Sequence, residues 1–249
     1  MTNNIYFIAN WKMYGNIESI KTIKNVISLS KKRSLKNVKI IYCPPYTLLS
    51  EFVKKTKNAK ISIGAQNCHT EKDYGSYTGF ISAKMIKDTG SKYVILGHSE
   101  NRISGETNED INKKIKSAIK KKLNVILCVG ENLAEKRKNI TKKVLSYQIN
   151  KSLNKVKNIN NIIIAYEPVW SIGTGIIPKK KFLEFNVRFI KQYLSNKFYK
   201  NKIKILYGGS VDSKNAKYLM QINEISGFLV GGASKNSKKF IDIIKKTIK

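Results

Sequence analysis

The chain has few acidic residues, few histidines, few prolines and no long apolar run. Its 249 residues include 16 Asp and Glu against 48 Lys and Arg, and they include two His and four Pro. No apolar stretch approaches the roughly 20 residues that a membrane-spanning helix needs. Residues 1–4 lack a basic region, and the apolar run after them is too short for a secretory signal. We therefore expect a cytoplasmic protein.

Cysteine is also scarce, with Cys43, Cys68 and Cys128 as its three positions. The number is odd and the spacing is not that of metal ligands. Small buried thiols in a reducing compartment are the better interpretation. A G-x-G-x-x-G motif is missing after the first apolar run, which disfavours a dinucleotide site. We expect neither a metal nor another cofactor.

The formal net charge of +32 has two interpretations. A basic surface is typical of nucleic-acid binding, because phosphates attract it. Base and phosphate readers favour arginine, however, and Arg33, Arg102, Arg137 and Arg188 are the only arginines here. The lysines are spread along the whole chain with abundant Asn and Ile. This favours compositional drift over specific nucleic-acid recognition.

Short continuous apolar runs recur along the chain, as strands buried on both faces require. The predicted strands are 5–9, 38–42, 61–63, 93–96, 125–129, 162–166, 203–207 and 228–230. Segments with helical spacing lie between them. Eight strand–helix units in about 250 residues predict a parallel α/β fold of the (β/α)₈ barrel type. We expect one domain over residues 1–249, because no linker or shift in composition divides the chain.

Four stripes of apolar residues indicate where helices pack on this barrel. A Thr107-x-x-Asp110 capping box begins the second of them, and Gly90 is expected to end an earlier helix. The stripes consist of Ile17, Ile20, Ile23 and Ile27; Ile111, Ile115, Ala118 and Ile119; Phe182, Phe185, Phe189 and Tyr193; and Phe240, Ile241, Ile244 and Ile248.

Polar and glycine residues follow the predicted strands, and all strand C-termini of such a barrel share one face. Glu167 follows the sixth strand and precedes a glycine-rich loop, which is typical of a general base with a lid. The other groups at this face are Asn10-Trp11-Lys12, Gly97-His98-Ser99-Glu100, Gly130-Glu131, Gly208-Gly209-Ser210 and Gly231-Gly232.

These motifs, in this order and over essentially the whole chain, closely resemble the triosephosphate isomerase family. The resemblance implies that Glu167 is the base and that His98 is a neutral electrophile beside a helix start, where a positive imidazole is disfavoured. It also implies that Lys12 supplies positive potential and that Asn10 orients the substrate. Main-chain N–H groups that bind the phosphate are expected at Gly173, Ser210, Gly231 and Gly232.

The resemblance further implies a homodimer through the loop 67–80, with Thr78 at the position that meets Asn10 of the partner subunit. It implies a lid that closes with Trp170 against Glu131 and with Tyr207 meeting it from the other side, so that water is excluded.

The chain departs from the family pattern at four places. Phe80 stands where an acid is usual, Asn101 stands where a second arginine is usual, and Ile176-Ile177-Pro178 replaces the commoner Lys-Thr-Ala at the second hinge of the lid. The turn at Ile103-Ser104 is one residue short. An ion pair near the subunit interface is therefore expected to be lost.

Two alternatives remain. Another phosphate-binding barrel isomerase or aldolase would share the fold, although an aldolase needs a lysine at the end of the sixth strand. A polyanion binder would use the basic surface instead. The expected partner is a small triose phosphate, with no specific nucleic acid and no membrane.

Overall fold

A closed barrel of parallel strands forms the centre of the protein in a computed structural model that describes residues 4–71, 73–199 and 201–248. Each strand pairs with the next in chain order, and the eighth returns to the first. The strands are β1 (Ile5–Asn10), β2 (Val38–Cys43), β3 (Ile61–Ala65), β4 (Tyr93–Leu96), β5 (Asn124–Val129), β6 (Ile162–Tyr166), β7 (Ile205–Tyr207) and β8 (Ile225–Val230). The predicted fold class is confirmed.

The expectation that no secretory signal is present rests partly on residues 1–3, which lie outside the described residues. Residue 72 of the predicted loop 67–80 also lies outside them. The described part contains no helix that is long and apolar enough to cross a membrane.

Both faces of the strands are buried, which explains the continuous apolar runs. Along β1, Ile8 belongs to the cluster inside the barrel, whereas Phe7 and Ala9 belong to the larger cluster between strands and helices. This alternation follows from the two-residue period of a strand. The barrel closes where β1 pairs with β8, and there Phe7 lies in register with Phe228.

Helices surround the barrel between successive strands. The α-helices are α1 (Lys24–Ser30), α2 (Leu49–Thr56), α3 (Ala83–Asp88), α4 (Ser99–Ile103), α5 (Asn108–Lys120), α6 (Leu133–Arg137), α7 (Thr141–Ser152), α8 (Lys180–Lys197), α9 (Ala216–Leu219) and α10 (Ser237–Ile248). Short 3₁₀ helices lie at Ile17–Ile23, Arg33–Leu35, Tyr46–Leu48, Val169–Ser171 and Gly232–Lys235.

Two of the predicted local signals are present as expected. The Thr107 side chain accepts from the backbone of Asp110 and the Asp110 side chain accepts from that of Thr107, which makes the capping box at the start of α5. Gly90 follows the end of α3 with a φ of 90°, a left-handed conformation that favours glycine. All three cysteines are buried and free, in line with the prediction from their spacing.

The first predicted stripe is only partly correct. Ile17–Ile23 is a 3₁₀ helix, capped at Asn16, and an α-helix begins only at Lys24. Ile17 is 73% exposed, whereas Ile23 is fully buried. The segment thus meets the barrel at its C-terminal end, and spacing alone does not show where along a helix the contact with the core begins.

The aromatic stripe of α8 is only partly correct, because Phe189 and Tyr193 pack against the core whereas Phe185 does not. Phe185 is 57% exposed, and the ring lies 4.0 Å from Nζ of Lys142. The buried face of this helix is aliphatic, with Leu183, Val187 and Ile190 at its centre. Both stripes have helical spacing and lie side by side, so periodicity could not choose between them.

Candidate active site

The C-terminal ends of the strands enclose a cavity of about 250 Å³. Every residue for which the sequence predicted a catalytic or substrate-binding role lines it. The lining residues are Asn10, Lys12, His98, Glu167, Ile172, Gly173, Gly175, Ile177, Gly208, Gly209, Ser210, Val211, Asp212, Asn215, Leu229, Gly231, Gly232 and Ala233.

Glu167 follows β6 and its side chain is buried, with 2% of the residue exposed. Its Oε2 accepts a hydrogen bond from the backbone N–H of Ser99 at 3.4 Å. The backbone here passes very close to β5, because a Cβ at Gly130 would lie 1.7 Å from the carbonyl oxygen of Glu167. Glycine at 130 is therefore required to set the carboxylate at the edge of the cavity.

His98 ends the turn after β4 and precedes α4. Its Nδ1 accepts the backbone N–H of Glu100 at 3.2 Å, so a neutral ring carries its proton on Nε2. Nε2 lies 3.4 Å from Oε1 of Glu167. The backbone of α4 thus sets the tautomer that can donate a hydrogen bond into the cavity.

Lys12 follows β1 with a φ of 55°, an uncommon conformation for a residue with a side chain. Two hydrogen bonds support it: the backbone N–H of Lys12 donates to Oδ1 of Asn10 at 3.1 Å, and Nε2 of Gln66 donates to the Lys12 carbonyl at 2.8 Å. Its Nζ lies 2.6 Å from Oε1 of Glu100. The ammonium group is thereby anchored at the rim of the cavity.

A rim rich in glycine forms another part of the cavity wall. Gly231 precedes the 3₁₀ helix Gly232–Lys235, and Ser234 Oγ donates to the carbonyl of Gly231 at 2.7 Å. Gly173, in the loop after β6, has a φ of 70°. Together with Ser210, these residues form a wall of backbone groups that suits an anion.

The loop 171–178 forms a lid that contacts the residues after β7. The backbone N–H of Gly175 donates to Oγ of Ser210 at 3.2 Å, and that hydroxyl donates to the Ser171 carbonyl at 2.7 Å. Tyr207 contacts Ser171 through its hydroxyl at 2.9 Å. The predicted contact of Tyr207 with the lid is present.

Trp170 directly precedes this lid and contacts two charged side chains. Its Nε1 donates to Oε1 of Glu131 at 2.8 Å, as the sequence predicted, and Nζ of Lys136 lies 3.3 Å from the centre of its ring. Tyr166 also donates to Glu131, at 3.1 Å. Burial raises the pKa of the Glu131 carboxyl group above its usual value, because the charged form loses its hydration.

Cys128 lies inside the barrel, next to the carboxylate of Glu167. It is fully buried in the barrel cluster, and burial raises the pKa of its thiol well above the usual value. The thiol is thus kept protonated, as a packing group is.

Three residues that support the site were not predicted from the sequence. Arg102 is half-buried and donates to the carbonyls of Gly97 at 2.8 Å and Cys128 at 3.2 Å, so it ties β4 to β5. Gln66 supports Lys12, and Ser171 links the lid to β7. Glu100 was visible in a motif, but nothing in the sequence pairs Arg102, Gln66 or Ser171 with distant carbonyl groups.

The described residues contain no group of three or more His, Cys, Asp and Glu side chains that could hold a metal ion. The cavity thus brings together the Glu167 carboxylate, the His98 imidazole, the Lys12 ammonium group and a rim rich in glycine.

Three comparisons place this geometry among known proteins. The model of the family described as triosephosphate isomerase matches residues 5–247. Triosephosphate isomerase of Dictyoglomus thermophilum is 44% identical over 244 residues, which cover 95% of this chain and 97% of that protein. The enzyme of the same name from Carboxydothermus hydrogenoformans is 43% identical over 250 residues, with 97% and 98% covered. The crystal structure of triosephosphate isomerase from Bartonella henselae superposes with a TM-score of 0.90 at 35% identity, covering 99% of this chain and 100% of that one.

Proposed function

The chain belongs to the triosephosphate isomerase family, and we propose that its barrel-mouth cavity performs the family's reaction with Glu167 as the base and His98 as the electrophile. That reaction is the glycolytic interconversion of dihydroxyacetone phosphate and D-glyceraldehyde 3-phosphate, an intramolecular oxidoreduction. The observation that carries the assignment of roles is the convergence of Glu167, His98 and Lys12 with a glycine rim in one cavity.

Glu167 takes the proton from the carbon beside the carbonyl group of the substrate and returns it to the neighbouring carbon. Burial helps this step, because a carboxylate with little water around it has few competing hydrogen bonds. The Ser99 N–H holds the carboxylate at the edge of the cavity. The intermediate between the two transfers is an enediolate.

His98 stabilises the negative oxygen that develops as the proton leaves. Its Nδ1 is occupied by the Glu100 N–H, so Nε2–H is the donor that faces the cavity. A neutral donor suits both directions of the reaction, because the imidazole can move a proton between the two substrate oxygens.

Lys12 and Asn10 provide the remaining polar contacts near the reacting carbons. The ammonium group of Lys12 adds positive potential for the enediolate and the phosphate, and Glu100 fixes where that charge lies. Asn10 holds the uncommon backbone of Lys12 and presents its amide to the cavity.

The phosphate is bound by main-chain N–H groups of Gly173, Ser210, Gly231 and Gly232. These groups bring no side chain that would fill the space and no second charge that would need a counterion. Because Gly173 belongs to the lid, phosphate binding favours the closed lid and thus excludes water from the enediolate.

The assembly and the cellular setting belong to the same proposal. We place residues 1–249 in one domain, the protein in the cytoplasm, and the loop 67–80 at the interface of a homodimer. In the single chain, Tyr74, Tyr77 and Phe80 of this loop expose much of their aromatic surface, which a second subunit would cover.

The function is tested by following the reaction in D₂O with protein purified from a host that lacks its own isomerase. The account expects rapid isomerisation and deuterium at C2 of the glyceraldehyde 3-phosphate formed, because a base exchanges its proton with solvent. Isomerisation without any deuterium at carbon would contradict exchange of the proton at the base, and absence of isomerisation would contradict the function itself.

A further inference from the structure

Ser171 stands at the first hinge of the lid and is fully buried. Its Oγ lies 2.6 Å from the carbonyl oxygen of Ile176, at the second hinge of the same lid. The same Oγ lies 2.9 Å from the hydroxyl of Tyr207, at the end of β7. One hydroxyl therefore connects both ends of the lid with the barrel.

The direction of these two hydrogen bonds follows from the groups present. The carbonyl of Ile176 can only accept, so the single hydrogen of the Ser171 hydroxyl is donated to it. The Tyr207 hydroxyl must then donate to Ser171. Burial raises the pKa of Tyr207 to about 12, so the phenol stays protonated and can donate throughout the neutral range.

Pro178 removes one backbone donor from the second hinge of the lid. Proline has no N–H, so this residue cannot donate a hydrogen bond from the second hinge to β7. Ile176 contributes its carbonyl instead, and this acceptor needs the hydrogen of a donor. The Ser171 hydroxyl supplies that hydrogen.

A second bridge at the same place reaches the substrate side of the cavity. Ser210 Oγ donates to the Ser171 carbonyl at 2.7 Å and accepts from the Gly175 N–H at 3.2 Å. Both the side chain and the backbone of Ser171 are thus tied to residues at or after β7. A change in lid position has to break these bonds together.

We propose that Ser171 is a positioning residue that holds the lid closed by passing a hydrogen bond from Tyr207 to Ile176. The inference rests on the proposed function of the cavity, because a closed lid matters only when a reactive intermediate lies beneath it. Ser171 itself does not touch the reacting atoms.

A side reaction of the enediolate, the loss of phosphate, can be measured per isomerisation. Partial loss of folded protein does not change this ratio. When the lid opens early, the electron pair of the enediolate expels the phosphate from C3, the C–O bond breaks, and inorganic phosphate leaves. The remaining three-carbon enol ketonises to methylglyoxal. No oxidant or reductant is consumed, and the fraction of turnovers that release phosphate reports how well the lid is held.

The test compares Ser171→Ala with Ser30→Ala, a matched removal of a buried serine hydroxyl in α1, far from the lid in the sequence, where Oγ donates to the Ile27 carbonyl. Losing one link between the lid and β7 is expected to lower kcat/KM about tenfold and to raise the released phosphate per isomerisation by a similar factor. Ser30→Ala should leave that ratio at the wild-type value. An unchanged ratio in Ser171→Ala would overturn the proposal.

Tyr207→Phe removes the other end of the link and keeps the proposal testable if Ser171→Ala fails to fold. It should raise the phosphate ratio to a similar extent, and the double variant should add little to either single change, because each breaks the same relay. A wild-type ratio in Tyr207→Phe would likewise overturn the proposal. A wild-type enzyme without isomerase activity would instead contradict the proposed function.

Discussion

Nε2 of His98 lies 3.4 Å from Oε1 of Glu167, and both side chains are almost fully buried. The two groups come from β4 and β6, which are not neighbours in the barrel. The backbone of α4 connects them, because the Ser99 N–H holds the carboxylate and the Glu100 N–H holds the imidazole. One short helix start thus orients both the proposed base and the proposed electrophile.

His98→Asn should lower kcat by about 100-fold, which is the usual effect of losing one donor to a developing oxyanion. KM should change less, because the interaction strengthens only as charge develops on the substrate oxygen. Steady-state kinetics in both directions, with circular dichroism to verify folding, measures this. An equal loss in KM and none in kcat would mean that His98 only binds the substrate.

The positions of Glu167 and His98 were predictable from the sequence, whereas the contacts of the side chains around them were not. Glu167 follows a buried strand and His98 follows another, and the barrel rule places both at one mouth. The contacts of Arg102 and Ser171 depend on side chains that reach carbonyl groups of distant elements. No periodicity or local motif encodes such contacts, so they emerge only from the folded chain.

The packing of α8 could not be predicted fully, because apolar residues lie on more than one face of this helix. Phe185 and Val187 lie two positions apart on α8, yet the first is exposed and the second buried. Both belong to stripes with helical spacing, and the aliphatic stripe is the one that is fully buried. The choice is made by shape at the interface between helix and sheet, which the sequence of the helix does not contain.

Thr107→Ala should lower the free energy of unfolding by about 0.5–2 kcal/mol, because it removes the N-cap of α5. The Thr107 hydroxyl also holds the pKa of the Asp110 carboxyl below its usual value. A depressed carboxyl pKa stabilises the fold above the unfolded-state pKa, and this contribution is lost as the pH falls.

The difference between wild type and Thr107→Ala should therefore shrink below about pH 4, near the usual pKa of an aspartate. Denaturant unfolding at several pH values measures it, with Thr107→Ser as the control that keeps the cap. A difference that grows on acidification would contradict this interpretation.

Phe80→Glu should weaken the proposed dimer. Phe80 is 60% exposed in the single chain, and its ring lies 4.6 Å from that of His69 in the same loop. Burial of a phenylalanine by a partner subunit contributes about 1.5–3 kcal/mol, whereas an unpaired acid there is costly. The dimer dissociation constant from sedimentation at several concentrations measures the effect.

The double variant Phe80→Glu with Asn101→Arg should recover part of that loss, because the arginine restores a partner for the acid. Phe185→Glu provides the control, since it places the same charge on an exposed aromatic residue of α8. Strict additivity at positions 80 and 101 would mean that the two residues do not interact.

The formal net charge of +32 should raise the rate at which the anionic substrate binds, without giving specific nucleic-acid affinity. Salt should lower kcat/KM for the phosphorylated substrate several-fold as the Debye length falls to about 8 Å at 0.15 M ionic strength. Glyceraldehyde without phosphate is the uncharged control and should show little salt dependence. Binding to one nucleic-acid sequence that survives physiological salt would contradict this and favour a second role.

The most direct measurement of the central claim is kcat of Glu167→Asp in protein from a host without its own isomerase. Shortening the side chain by one methylene withdraws the carboxylate by about 1 Å, which should lower kcat by about 100-fold or more while the fold is kept. Glu184→Asp, the same change on the outside of α8, should retain wild-type turnover. Wild-type turnover in Glu167→Asp would contradict the assignment of Glu167 as the base.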